Sequence, residues 1–181
     1  MSSIYSCEKG CCSIKIKEGQ WLHQRHVRRG NCRKAGVFVY DPQNNAVLLV
    51  QSRGLLWGPA KGTLEVDLNE TNIDCAIREL KEETGLDATI TDFTRAIKIK
   101  NRVLYYYMEY PVCNVEVQDH LNNDANGIAW IKIDCLKECI SAGNIILNQH
   151  CKIAFKKFMN ITFEKTEFVK VESRRRKKNT F

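Results

Sequence analysis

A chain of 181 residues is long enough to bury one hydrophobic core and short for two domains. Its composition, 44% hydrophobic and 27% charged residues, is ordinary for a globular protein. No apolar run approaches the roughly 20 residues needed to span a bilayer, and the N-terminus has no apolar signal segment, so we expect no membrane association. Nine cysteines at irregular spacing argue against a secreted disulfide framework and favour an intracellular compartment, cytoplasmic or nuclear.

The net charge of +7 is concentrated at the two ends of the chain. Residues 1–34 carry +6 and residues 35–173 carry −4, and a terminal basic run adds +5. That run consists of Arg174, Arg175, Arg176, Lys177 and Lys178. Basic ends attract polyanions such as RNA without specifying a sequence. The run is therefore a candidate nucleic-acid-binding segment, with a solubilising tail or a nuclear-import signal as alternative interpretations.

We predict three parts in the chain. Residues 1–34 form a basic, Cys-containing extension packed on or beside the core. Residues 35–160 form the main domain, and residues 161–181 form a basic tail that is partly disordered.

The N-terminal extension brings several metal-binding side chains close together in sequence. Residues 12–17 alternate and predict a strand. Cys7, with Cys11 or Cys12, could combine with His23 and His26 in a zinc site, since thiolate and imidazole both suit Zn²⁺. The spacing matches no established zinc motif, so unligated cysteines are the alternative. A basic cluster follows, either a solvated approach to the first core strand or part of a phosphate-binding rim; it comprises Arg25, Arg28, Arg29, Arg33 and Lys34.

Two apolar segments, 35–40 and 46–51, predict strands joined by a turn at 41–45. A loop with Trp57, Lys61 and Gly62 comes next. The Trp57 ring can anchor this loop by burial. Lys61 either faces a substrate phosphate or is a surface residue beside the turn.

The segment after this loop predicts an amphipathic helix. One face is marked by apolar or small residues at three- and four-residue steps, namely Ile73, Ala76, Ile77, Leu80 and Thr84. Thr71 is the predicted N-cap, with Asp74 completing a capping box. Gly85 is the predicted end of the helix, in the left-handed conformation.

A second face of this helix is acidic. Glu79, Glu82 and Glu83 are spaced i, i+3, i+4, so their carboxylates converge within about one turn. Like charges so placed repel one another, and a cation among them would relieve the repulsion. Oxygen-only ligation of this kind suits Mg²⁺ or Mn²⁺.

The loop and helix together resemble the signature box of the Nudix hydrolases, in which Gly, five residues and Glu are followed by seven residues and Arg-Glu-aliphatic-x-Glu-Glu-x-Gly-aliphatic. The matching residues are Gly62, Glu70, Arg78, Glu79, Leu80, Glu82, Glu83, Gly85 and Leu86. One departure is that seven residues separate Gly62 from Glu70, which we interpret as a two-residue insertion. The resemblance implies a Nudix-type α/β/α sandwich, of α+β or α/β class, with a mixed central sheet.

The resemblance also implies roles for individual residues. Mg²⁺ or Mn²⁺ would be held by Glu79, Glu82, Glu83 and Glu70. Glu83 would be the leading ligand and a candidate base, and it joins Glu82 and Arg78 in the predicted catalytic set. Arg78 would pair with a carboxylate and fix its direction. The predicted substrate-binding residues are Trp57, Lys61 and Gly62.

Downstream, the composition predicts strands at 88–93, 94–100, 103–112 and 128–133, a turn at Asn101-Arg102, a polar loop at 113–127, and helices at 134–142 and 144–159. In Nudix enzymes a late-loop carboxylate often adds a metal contact or the base. Glu116, Asp119 and Asp124 are the candidates here, with a solvated acidic loop as the alternative for each.

The resemblance implies hydrolysis of a nucleoside diphosphate linked to another group. Free nucleotides, dinucleoside polyphosphates and diphosphoinositol phosphates form one substrate class. Capped mRNA forms another class. It is favoured by the basic ends and by the Trp-Gly-x-x-Lys-Gly sequence at Trp57–Gly62, which is similar to that of decapping-type family members. Compact Nudix decapping enzymes occur in some large DNA viruses, and such a protein would act in the host cytoplasm. A Nudix-fold module that only binds RNA or nucleotides is the alternative from a different class, and the complete set of box carboxylates argues against it.

Overall fold

The computed structural model describes residues 2–17, 34–52, 55–118 and 125–163. Within these ranges the chain forms ten strands and three helices. The strands are β1 (Ser2–Ser6), β2 (Ser13–Lys17), β3 (Lys34–Asp41), β4 (Ala46–Ser52), β5 (Leu56–Gly58), β6 (Ala60–Thr63), β7 (Phe93–Ile99), β8 (Val103–Glu109), β9 (Ala125–Lys132) and β10 (Ile146–Leu147). The helices are α1 (Asn72–Thr84), α2 (Ile133–Ser141) and α3 (Gln149–Met159).

One mixed sheet joins these strands in the order β1-β2-β9-β4-β3-β8-β7. Strands β3 and β8 are parallel, and the other neighbours along this order are antiparallel. Strands β3 and β4 pair only near their connecting turn. Beyond it, β6 pairs with β3 and β5 pairs with β4. The loop before α1 is thereby built into the sheet, which fixes its position relative to the helix.

The two faces of the sheet carry separate layers of the core. Along β3, Val37 and Val39 pack with Leu80 of α1, whereas Phe38 packs with Phe155 of α3 on the opposite face. This alternation is the two-residue period of a strand covered on both sides. The predicted α/β/α sandwich with a mixed sheet is confirmed.

Several elements differ from the prediction. Strand β8 ends at Glu109 and not at residue 112, and β9 begins at Ala125, inside the predicted loop at 113–127. In place of a strand over 88–93, Thr89 caps a short 3₁₀ turn at Ile90–Asp92, donating its backbone N–H to Asp92 at 2.6 Å. Local side-chain capping therefore outcompetes strand pairing until Phe93. The predicted helix at 144–159 is divided. Ile146 and Leu147 pair in parallel with β5, and Asn148 then caps α3 by accepting the Cys151 N–H at 2.8 Å.

The two additional residues between Gly62 and Glu70 lie in an exposed segment. It contains a 3₁₀ turn at Val66–Leu68 and ends with Asn69 at φ +54°. The Glu65 backbone N–H donates to the Glu70 carboxylate at 2.8 Å and closes the segment. The insertion thus leaves both β6 and α1 in place.

The N-terminal residues contribute two strands, of which the sequence predicts one. The predicted strand at 12–17 is confirmed as β2, and β1, for which there was no prediction, pairs with it as a hairpin. Strand β2 pairs with β9, so the hairpin extends the central sheet. None of the helices within the described ranges is long and apolar enough to cross a membrane.

Asp41 organises the turn between β3 and β4 from a buried position. Its carboxylate accepts N–H groups from Gln43, Asn44 and Val112 at 2.7–3.1 Å, and the Asn44 side chain donates at 2.8 Å. Burial raises the pKa of Asp41, but these four hydrogen bonds outweigh it and lower the pKa from 3.8 to about 2.

Asp41→Asn should therefore destabilise the fold by about 2 kcal/mol at pH 7, because a pKa below its unfolded value stabilises the native state above that value. The contribution is lost as the pH falls from about 4 towards 2. Urea unfolding at pH 7 and pH 2.5 measures the difference in the free energy of unfolding between the wild type and the variant, with exposed Asp67→Asn as the control. A difference in the free energy of unfolding that is the same at both pH values would contradict this account.

Candidate active site

Helix α1 begins and ends as its sequence predicts. Thr71 accepts the Asp74 N–H, and Asp74 accepts the Thr71 N–H, each at 3.3 Å, which completes a capping box. Gly85 follows the helix at φ +78°, and its N–H donates to Lys81. The buried face comprises Cys75, Ala76, Leu80, Glu83 and Thr84, while Ile73 and Ile77 are half-buried. Glu83 is the unexpected member of the buried face, because its side chain is a carboxylate.

Arg78 gathers three of the four box carboxylates. Its Nε and Nη2 donate to Glu70 at 2.7 and 3.0 Å in a bidentate contact. Its Nη1 donates to Glu79 at 3.0 Å and to Glu82 at 3.1 Å. Hydrogen bonding by Arg78 lowers the pKa of Glu70. The guanidinium thus holds these side chains in defined directions and keeps Glu70 ionised.

Glu83 lies apart from this group, on the buried side of α1. Only 2% of the residue is exposed, and its Oε2 accepts the Lys61 backbone N–H at 2.8 Å. That N–H comes from β6, which is held against β3. Burying a carboxylate is costly unless it is hydrogen-bonded or paired, so a buried Glu at this position indicates a use for its charge.

Gly62 allows the same strand to approach Glu79 closely. A Cβ at position 62 would overlap the Glu79 carboxylate. The structure therefore brings Lys61 and Gly62 of β6 together with the acidic side of α1. Four carboxylates and one guanidinium lie at this contact between β6 and α1, which we call the seam. The seam has an excess of negative charge and of oxygen ligands. This donor set fits a hard divalent cation such as Mg²⁺ or Mn²⁺.

Trp57 lies away from the seam. It is 1% exposed in β5 and belongs to the core layer that contains α2 and α3. It also lines a cavity of about 330 Å³ between the β1–β2 hairpin and α2, with Ile14 and Cys139 among the other lining residues. A role of Trp57 in substrate binding stays a prediction.

The late-loop candidates are only partly described. Glu116 is exposed, and its carboxylate lies 3.7 Å from the Nζ of the half-buried Lys15 in β2. Asp119 and Asp124 fall outside the described residues, as do the basic cluster at 25–33 and the terminal run at 174–178. Their predicted roles stay predictions.

A basic cleft at the start of α1 includes Lys34, a member of the predicted basic cluster, together with residues that the sequence analysis did not connect with it. It has a volume of about 160 Å³ and lies between the start of α1 and the β7–β8 turn. Its lining includes Lys34, Lys98 and Arg102, together with Asn72. These residues come from three separate segments, the start of β3, the start of α1 and the β7–β8 hairpin, so only the folded chain assembles them.

Comparison with known proteins supports the resemblance to the Nudix hydrolases. A family model described as the NUDIX domain matches residues 30–147. The chain is 37% identical over 139 residues to a protein of Invertebrate iridescent virus 3, provisionally named hydrolase 111R, across 75% of this chain and 80% of that protein. It is 35% identical over 109 residues to the m7GpppN-mRNA hydrolase dcap-2 of Caenorhabditis elegans, across 56% of this chain and 14% of that protein.

Among solved structures, the NUDIX hydrolase from Nitrosomonas europaea aligns with a TM-score of 0.50 and 19% identity, over 71% of this chain and 88% of that chain. This similarity concerns the fold. The matched family region contains the whole seam between β6 and α1.

Proposed function

The chain belongs to the Nudix hydrolase family, and on that premise we propose that it removes the cap from RNA by hydrolysing a diphosphate bond with the help of Mg²⁺ or Mn²⁺. Hydrolysis of a diphosphate bond in a nucleotide-like substrate follows from family membership. The choice of capped RNA and the roles of individual residues are the proposal. The observation that carries the residue roles is the buried, hydrogen-bonded Glu83 next to the carboxylates held by Arg78. The observation that supports the choice of capped RNA is the basic cleft at the start of α1.

Members of this family generally use divalent metal ions, and we assign the ligands here to Glu79, Glu82, Glu83 and Glu70. When bound, such ions neutralise phosphate charge and lower the pKa of the attacking water. Arg78 directs Glu70, Glu79 and Glu82 through its three nitrogens. The Lys61 N–H fixes Glu83, whose negative charge serves either as a ligand or as the acceptor of the water proton.

The basic cleft supports a substrate with phosphates beyond the one attacked. Lys34, Lys98 and Arg102 lie next to the N-terminal end of α1, where further phosphate charge would be attracted. A cap joined to RNA by a triphosphate bridge presents such a chain of charges. The similarity to dcap-2 and the basic ends of the sequence favour the same substrate.

A substrate panel in Mg²⁺ and Mn²⁺ tests this proposal. It compares capped RNA, free cap analogue, ADP-ribose, dinucleoside polyphosphates and nucleoside triphosphates. We expect release of a 7-methylguanosine diphosphate from capped RNA and much slower cleavage of the free cap. Efficient cleavage of a small nucleotide with no action on capped RNA would reject decapping while retaining the hydrolase. Binding of RNA without hydrolysis of any substrate would reject both in favour of a binding module.

Arg78→Gln should lower kcat/KM about 10- to 100-fold and raise the Mg²⁺ concentration needed for half-maximal rate, because partners that orient metal ligands typically contribute this much. Arg78→Lys keeps the charge but loses the bidentate contact with Glu70, so we expect an intermediate loss. Steady-state kinetics over a Mg²⁺ titration measures both variants. Lys81→Gln, on the same helix but paired with Asp87, is the matched control. Equal rates for Arg78→Gln and this control would remove Arg78 from the site.

Replacing all five basic residues at 174–178 by serine should raise KM for capped RNA several-fold at low salt, because five positive charges attract the RNA backbone. The rate on a free nucleotide should not change. The difference in KM should shrink as salt is added, since screening weakens exposed charges. A KM that is unaffected at low salt would assign the run a role other than RNA contact.

A further inference from the structure

Four cysteine thiols converge where the β1–β2 turn meets the first turn of α2. Cys7, Cys11 and Cys12 come from the turn, and Cys135 comes from the helix, 124 residues beyond Cys11. All four Sγ atoms lie within 4.8 Å of one another. Within the described residues this is the one group of potential ligands gathered so closely. Cys7, Cys12 and Cys135 are buried, and Cys11 is exposed.

The three sulfur separations measured from Cys11 are close to those of a tetrahedral thiolate site. Cys11 Sγ lies 3.6 Å from Cys7 Sγ, 3.7 Å from Cys12 Sγ and 3.3 Å from Cys135 Sγ. Four sulfurs placed tetrahedrally at about 2.3 Å from Zn²⁺ are separated from each other by about 3.8 Å. A disulfide bond requires an S–S distance of about 2.05 Å. The observed spacing is close to the first arrangement and far from the second.

The backbone builds this cluster from two directions. The Gly10 N–H donates to the Cys7 carbonyl at 2.8 Å, and Gly10 adopts φ +66°, so the turn folds back tightly. The Cys7 N–H donates to the Cys12 carbonyl at 3.1 Å and closes it. This turn, six residues long, brings the sulfurs of Cys7, Cys11 and Cys12 close together.

The fourth sulfur arrives through the pairing of β2 with β9. Ser13 pairs with Trp130, and β9 leads directly into α2, so Cys135 is carried to the turn. The Lys132 backbone N–H donates to Cys12 Sγ at 3.3 Å. A backbone N–H that donates to a sulfur stabilises its thiolate form, and the N-terminal end of a helix also favours negative charge. The ion pair of Lys9 with Glu138 fastens the same turn to α2.

We propose that Cys7, Cys11, Cys12 and Cys135 bind one Zn²⁺ ion. Four protein thiolates leave no open position, so the site is structural and not catalytic. It joins the N-terminal hairpin to α2 and β9 and thereby holds the hairpin against the sheet. Thiolate ligands favour Zn²⁺, whereas the carboxylate seam of α1 favours Mg²⁺ or Mn²⁺, so the two sites use metals of different chemistry. This site requires neither His23 nor His26, which lie outside the described residues.

Metal analysis of the full chain tests the proposal. The protein is purified under reducing conditions without chelator, and its zinc content is measured by mass spectrometry. We expect about one zinc ion per chain, and less than about a tenth of an ion in Cys11→Ser and Cys135→Ser. Cys139→Ser is the matched control, because Cys139 lies one turn further along α2 and outside the cluster. The exposed position of Cys11 makes its variant the one most able to fold without metal.

Two further measurements distinguish a site from adventitious zinc. Adding Co²⁺ to the metal-free chain should give the visible absorption of a tetrahedral cobalt–thiolate centre, and Cys11→Ser should not. A chelator should lower the Tm of the wild type and leave that of Cys11→Ser unchanged. A metal-free wild type, a disulfide among these cysteines, iron in place of zinc, or full zinc content in Cys135→Ser would each overturn the proposal.

Discussion

Glu83→Gln is expected to lower kcat/KM for diphosphate hydrolysis at least about 10³-fold, equivalent to about 4 kcal/mol of transition-state stabilisation. The substitution removes the negative charge at a position that is 2% exposed and lies on the seam between α1 and β6. The loss follows whether the carboxylate ligates a metal ion or accepts a proton, because a neutral amide does neither well.

The fold should survive this change. The amide oxygen of the substituted side chain can still accept the Lys61 N–H, so that buried donor keeps its partner. Replacing a buried charge by a neutral group of the same shape removes a desolvation cost, so the Tm should be unchanged or slightly higher. Kinetics and thermal unfolding on the same preparations separate the two effects. Glu65→Gln, at an exposed position before the same helix, is the matched control. Full activity of Glu83→Gln would remove this residue from the reaction.

The acidic helix could be predicted from sequence because its determinants are local. Thr71, Asp74 and Gly85 are cap signals that operate within one turn, and the three- and four-residue spacing of Glu79, Glu82 and Glu83 places them on a known face. The expected pairing of Arg78 with a carboxylate is found with Glu70, in a bidentate contact, and with Glu82 at i+4.

Other parts of the site depend on long-range pairing and could not be predicted. The burial of Glu83 follows from the register of β6 on β3, which no local pattern specifies. The cleft of Lys34, Lys98 and Arg102 requires the parallel pairing of β3 with β8. Cys135 joins Cys7 only because β2 pairs with β9. Sequence reasoning identified the N-terminal thiols as ligand candidates but had no signal for the fourth.

Gly62→Ala is the second change from which we expect a large loss, about 10²-fold in kcat/KM, comparable to the loss on removing an outer partner of a metal site. An added methyl group would overlap the Glu79 carboxylate and displace it from Arg78, which holds it at 3.0 Å. The obstructing atoms are the far end of a flexible side chain, so the backbone need not move. The Tm should therefore change little while activity falls.

A double-mutant cycle with Glu79→Ala determines whether the loss acts through that carboxylate. Without the Glu79 side chain there is nothing at position 79 for the new methyl group to displace, so Gly62→Ala should cost less than about 3-fold in that background. Mutations that act through the same group give non-additive losses, whereas independent effects multiply. Multiplying losses would mean that Gly62 is required for the path of β6 and not for the placement of Glu79. A large fall in the Tm of Gly62→Ala would support the same conclusion, because only a backbone shift would disturb the pairing of β6 with β3.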